Sequence, residues 1–242
     1  MKSIAKTAFS FILFSIIVIL LSLLLMSLKS DVATERQTLS ENEITVVLDA
    51  GHGGEDGGAI GKNGVLEKDL NLSLAKRIGT ELEKQGVSVV YTRTEDILLY
   101  DKNADYKNKK KALDLAARVK IAQDTQNSIF VSIHMNSFSE TRYSGLQIYY
   151  SKNNELSKDL AASIQSAVRS NLQPQNERKA TMATNRIYIL DRLYCPAILI
   201  ECGFISNVEE CRLLCTDVYQ NELSKIISQE IENYIKKIQK PY

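Results

Sequence analysis

The chain has 242 residues, enough for one well-cored domain with a small appendage. It is 44% hydrophobic and 24% charged, an ordinary globular balance, and its net charge of +1 gives no electrostatic reason to expect nucleic acid or an acidic partner. No internal repeat or low-complexity tract is visible beyond an N-terminal apolar run.

That run covers residues 8–28 and is broken only by scattered serines. It matches the length of a bilayer-spanning helix and exceeds the usual signal-peptide core. Lys2 and Lys6 precede it, and Asp31, Glu35 and Arg36 soon dilute the charge of Lys29. The positive-inside rule then leaves the N-terminus in the cytoplasm and the rest outside. With no Ala-x-Ala site and no nearby cysteine, residues 1–28 read as an uncleaved membrane anchor, in preference to a cleaved signal or a buried core helix. Residues 29–43 are polar and mixed in charge and read as a tether to a domain over 44–242.

The domain opens with a β-branched strand over 44–48. A loop over 49–64 follows, dense in glycine (Gly51, Gly53, Gly54, Gly57, Gly58, Gly61, Gly64). Such density lets the backbone take positive φ and approach something closely. A dinucleotide loop fails because Asp56 stands where the third glycine of GxGxxG belongs, and a P-loop fails for lack of GKS or GKT. Leu70, Leu74, Ile78 and Leu82 repeat at helical spacing, so a helix is expected over 67–85, stopped by Gly86. A strand over 87–91 leads to a polar stretch over 94–111 that ends in Lys107-Asn-Lys-Lys-Lys111, read as a solvated run or a substrate or partner surface.

Next come a helix over 112–126, a strand over 128–133, a strand over 146–150, a helix over 155–172 and a polar loop over 173–185. Strands over 186–190 and 197–200 and a helix over 217–238 complete the chain. Alternating strands and helices predict a three-layer α/β sandwich, with about six strands in a mostly parallel or mixed sheet. The four cysteines, Cys195, Cys202, Cys211 and Cys215, have no C-x2-C pair. They read as small buried hydrophobes, with disulfides permitted but not demanded.

The chain has only two histidines, His52 and His134, and both follow β-branched runs. Open α/β sheets carry their chemistry at the carboxyl ends of strands. Glu67 opens the first helix and Glu201 follows Ala-Ile-Leu-Ile. Read singly, each histidine is a hydrogen-bonded structural residue and Glu67 a helix-start carboxylate favoured by the dipole. Read together, His52, Glu67 and His134 offer the His₂Glu shell of a catalytic zinc with one position left for water. Glu201, costly at a buried strand end unless a cation lies near, is the candidate proton carrier. HExxH and Gly-x-Ser-x-Gly are both absent.

The blocks VVLDAGHGG…GVLEKDLNLSLAKRI, FVSIHMNS and PAILIECGFISNVEE, in that order, closely resemble the zinc-dependent N-acetylmuramoyl-L-alanine amidases of the Amidase_3 type. The resemblance covers about residues 44–240. Within the family, SGLQIYYSKNNELSKDLAASIQ is most similar to the sporulation-specific, membrane-anchored branch. The resemblance implies one Zn²⁺ per chain on His52, Glu67 and His134, with Glu201 as general base and acid. It implies a peptidoglycan substrate, cut between the lactyl group of muramic acid and L-alanine, and a role in forming muramic-δ-lactam in the spore cortex. The catalytic domain would then face the cortex between the forespore membranes. An activating protein partner is a further expectation. The chain departs from many relatives at Asp191-Arg192, where they carry a basic residue, and in its lysine-rich stretch. The competing readings are a zinc carboxypeptidase-like hydrolase and a non-catalytic muropeptide-binding protein.

Overall fold

The computed structural model describes residue 22 and residues 43–100, 109–184 and 187–239. Apart from residues 22 and 43, the expected anchor and tether lie outside the described residues, as do residues 101–108 of the lysine-rich stretch. Among the described residues, no helix is long and apolar enough to cross a membrane.

The elements run β1 Thr45–Ala50, α1 Glu67–Lys84, β2 Ser88–Tyr91, α2 Lys110–Asp124, β3 Ser128–Asn136, β4 Gln147–Tyr150, α3 Leu156–Asn171, β5 Thr181–Met182, β6 Ala197–Phe204, α4 Val208–Leu214 and α5 Asp217–Gln239. The sheet is mixed and six-stranded, in the order β2-β1-β3-β6-β4-β5. β2, β1, β3 and β6 are parallel, and β4 runs antiparallel to β6.

Side chains alternate along each strand, and the two faces differ in character. Val46 and Leu48 of β1, Val131 and Ile133 of β3 and Ile198 and Ile200 of β6 enter the larger core, beneath α1, α3 and α5. Val47, Phe130 and Leu199 enter a smaller core with Val119 of α2. On this second face the carboxyl halves of the strands turn polar, with Asp49, Ser132, His134 and Glu201 in place of the apolar residues before them. The site therefore begins where the second core stops.

Helix α1 shows how the sequence sets its element. Leu70, Leu74, Ile78 and Leu82 are at most 5% exposed, and each such burial contributes about 1.5–3 kcal/mol. Gly86 ends the helix at φ 79°, with Val87 N donating to Leu82 O and Gly86 N to Glu83 O, the paired bonds of a Schellman cap.

Three expectations need correction. The strand expected over 186–190 does not form among its described residues: Ile187 is irregular and Tyr188–Leu190 is turn. Ile189 and Leu190 are still buried in the smaller core, and Asn153 Nδ2 donates to the carbonyls of Leu190, Asp191 and Leu193. Burial without a ladder partner satisfies the apolar side chains as well as a strand does. The sixth strand is instead the short β5, inside the segment expected to be loop. The strands expected to stop at Ile133 and Ile200 run on to Asn136 and Phe204, so His134 and Glu201 sit within strands rather than after them.

The cysteines are unpaired, with Cys202 and Cys211 buried, Cys195 intermediate and Cys215 exposed, so burial as small hydrophobes holds for two of the four.

Candidate active site

The structure brings His52, Glu67 and His134 together, each from a different local cause. His52 lies two residues beyond β1, on a turn with φ 61°. Glu67 is the first residue of α1, where its carboxylate favours the helix dipole. His134 projects from β3.

Glu67 Oε1 lies 3.2 Å from His52 Nε2 and 2.9 Å from His134 Nδ1. One ligand atom from each residue falls within 4.8 Å of the others. Donors of one tetrahedral zinc shell are about 3.3 Å apart when bonds are about 2.0–2.1 Å long, so the set fits that ion. Burial opposes charge on Glu67, but both imidazoles outweigh it and hold its carboxyl far below the usual range. Burial likewise opposes charge on His52, while Glu67 and Asp56 prevail and raise it.

The rest of Glu67 is tied to the backbone. Ala59 N donates to Oε2, and Met135 N and Asn71 Nδ2 donate to Oε1. Asp56 Oδ2 lies 2.9 Å from His52 Nδ1 but out of line for a hydrogen bond, and Lys111 Nζ approaches the same oxygen at 3.5 Å.

Glu201 pairs with His134 across β3 and β6, in direct register. Its Oε2 is buried with no hydrogen-bond partner among the described residues. Burial pushes its carboxyl up to about 7. A cavity of about 270 Å³ opens over these groups, lined by His52, His134, Glu201, Lys111 and Tyr188 among others. A larger groove of about 860 Å³, between Arg142 and Tyr219, contains none of them.

The glycines of the 49–64 loop leave room for a close neighbour at the backbone. At two of them the protein fills that room itself. A Cβ on Gly51 would stand 2.2 Å from His134 Nε2, and one on Gly58 would stand 2.6 Å from Glu67 Oε2.

Sequence reading passed over Asp49, Asn71, Arg93 and Arg118, all buried around the site. Two signals were available. Asp49 is a carboxylate inside an apolar strand, and Asn71 sits four residues after Glu67 on the apolar side of α1.

An N,N,O cluster beside a buried carboxylate, at the carboxyl end of a mixed α/β sheet, is the layout of a hydrolytic centre. The chain belongs to the Amidase_3 family of N-acetylmuramoyl-L-alanine amidases, whose model matches residues 46–233. It is 35% identical over 189 residues to the germination-specific N-acetylmuramoyl-L-alanine amidase of Bacillus subtilis (strain 168), covering 78% of each chain. The CwlD amidase of Clostridioides difficile, solved in complex with the GerS lipoprotein, superposes at TM-score 0.75 and 36% identity, over 80% of this chain and 98% of that one. AmiC2 of Nostoc punctiforme superposes at TM-score 0.68 and 32% identity, over 80% and 98%. The activity is accordingly that of a peptidoglycan N-acetylmuramoyl-L-alanine amidase, in place of the carboxypeptidase and non-catalytic alternatives.

Proposed function

We propose that His52, Glu67 and His134 hold one zinc ion and that Glu201 carries the proton in hydrolysis of the lactyl–L-alanine amide. The supporting observation is the convergence of the three donor atoms within 4.8 Å, with Glu201 in register beside His134.

Bound zinc supplies Lewis acidity, drawing a water's pKa from about 15.7 toward about 7 and polarising a carbonyl. The chain's own residues supply the rest. Glu67 is held rigid by backbone donors from the loop and from β3, so its Oε1 keeps one position between the imidazoles. Glu201 Oε2, with no protein partner, is free to accept a proton from the attacking water. As the carbon–nitrogen bond breaks, Glu201 returns that proton to the alanine nitrogen, which leaves as a neutral amine. Metal analysis tests the ligand set: about one zinc per wild-type chain is expected, and His52→Ala, left with only Glu67 and His134, should hold well under that after dialysis. Undiminished zinc in His52→Ala removes that ligand.

The physiological setting proposed is spore-cortex maturation, with stem peptides removed ahead of muramic-δ-lactam formation. Similarity to CwlD and to the germination-specific amidase supports it. The apolar run over 8–28 supports a membrane anchor with an extracytoplasmic catalytic domain. CwlD was solved with a lipoprotein, and an activating protein partner for this chain is the corresponding proposal. The C-terminal end of its lysine-rich stretch already touches the glycine loop, through Lys110–Glu55 at 2.7 Å and Lys111–Asp56 at 3.5 Å.

A further inference from the structure

His52 meets Glu67 from a backbone conformation unlike that of an ordinary strand exit. Its φ of 61° lies in the left-handed region, which a non-glycine residue enters only against steric resistance. Two buried arginines hold the backbone there. Arg118 of α2 donates from Nη1 to Ala50 O and from Nη2 to His52 O, both at 2.7 Å. Arg93, just beyond β2, donates from Nε to Ala50 O at 2.8 Å and from Nη2 to Gly51 O at 3.0 Å. Three consecutive carbonyls are thereby drawn onto two guanidinium groups.

The same cluster reaches the other two ligands. Arg93 Nη2 also donates to Lys68 O, beside Glu67, and Asn71 Nδ2 spans Gly51 O and Glu67 Oε1. Ser132, two residues before His134 on the same face of β3, donates to Asp49 Oδ2 at 2.6 Å. Asp49 Oδ1 accepts from Thr92 and from Arg118 Nη1. Arg118 completes its bonding on Asp114, through Nε to Oδ2 and Nη2 to Oδ1. All five guanidinium donors of Arg118 are spent inside the protein. Although it lines the cavity, it has none left for substrate.

We propose that Arg118 and Arg93, together with the Asp49 carboxylate, are positioning residues that set metal affinity by fixing the His52 turn against Glu67 and His134. The proposal rests on the reading of those three residues as zinc ligands. An ion-pair cluster that served stability alone would leave metal affinity untouched.

The test measures, on the full chain, the zinc dissociation constant by chelator competition and the urea unfolding midpoint. Arg118→Lys keeps a cation beside Asp49 and Asp114 but cannot span both carbonyls with a planar fork. It is expected to raise the zinc Kd about 10–100-fold. Ile231→Val, in the α5 core, is expected to lower the midpoint and leave the Kd within about twofold. In a His52→Ala background, Arg118→Lys should weaken residual zinc binding no further. An unchanged Kd in Arg118→Lys, or the same loss with and without His52, overturns the proposal. If Arg118→Lys is recovered unfolded, Arg93→Lys takes its place with the same outcomes. A wild-type chain that binds no zinc overturns the ligand reading and this proposal with it. Zinc-binding wild type with an unaffected arginine variant overturns the clamp alone.

Discussion

Burial raises the Glu201 carboxyl; the His134 charge opposes this, Glu67 adds to it and His52 opposes it, leaving it at about 7. A carboxyl poised there exchanges protons readily near neutrality. Below its pKa it is already protonated and accepts nothing, so kcat/KM should fall as pH drops through that value. A bound cation favours the carboxylate and moves the limb below about 7. Glu201→Gln should keep its zinc and lose about 10²–10⁴-fold in turnover, with that acid limb gone. Full activity in this variant contradicts the proton-carrier role. Asp49 behaves in the opposite way. Burial opposes its charge, but Arg118, Ser132 and Thr92 prevail and hold its carboxyl low. Between the folded and unfolded pKa values the unfolded chain binds the extra proton, so this stabilisation is present above the unfolded value and is lost as pH falls through the folded one. Asp49→Asn removes one of the two carboxylates that compensate the buried Arg118, leaving Asp114, and should cost about 1–3 kcal/mol near neutral pH. Urea titrations should show that gap shrinking in acid; a gap that holds steady, or is absent at pH 7, contradicts the buried pair.

The glycine loop works as an element because its small residues admit the side chains of His134 and Glu67. Gly51→Ala places a methyl against the His134 ring. Zinc affinity is expected to fall by tenfold or more, on the scale of a lost supporting contact. Calorimetric zinc titration of this variant checks it, and wild-type affinity would mean that His134 has slack to move. Much of the element plan was legible in the sequence. The leucine and isoleucine spacing of α1 and its glycine stop announced a helix, and the β-branched runs announced β1, β3 and β6. The strand expected over 186–190 failed because apolar residues can be buried in a turn whose carbonyls a side chain, here Asn153, satisfies. The length of β6 was missed because Glu201 and Gly203 break the apolar run while the backbone ladder continues. His52, His134 and Glu201 stood out in the sequence as ionisable groups following β-branched or apolar runs, and Glu67 as a carboxylate opening the first helix. The arginine cluster was not, since α2 lies far along the chain and its guanidinium reads as a surface charge until the fold buries it.

At the scale of the whole molecule, one sheet separates two tasks. Its larger core, under α1, α3 and α5, is apolar throughout the strands. The face under α2 gives up apolar burial at its carboxyl end to hold the site. Trimming the larger core should therefore cost stability without altering chemistry. Leu223→Ala in α5 is expected to lower the unfolding free energy by about 2–5 kcal/mol. The kcat of the folded fraction should be unchanged, and a fall in kcat beyond the loss of folded protein would show that the two faces are coupled. The most direct measurement of the proposed chemistry is mass spectrometry of muropeptides digested by the zinc-loaded chain, run beside a chelated control. A new N-terminal L-alanine on free stem peptides, with an intact lactyl carboxylate left on the glycan and neither product after zinc removal, is the expected result. Cleavage that persists without zinc, or release of a C-terminal amino acid from the stem instead, would contradict it.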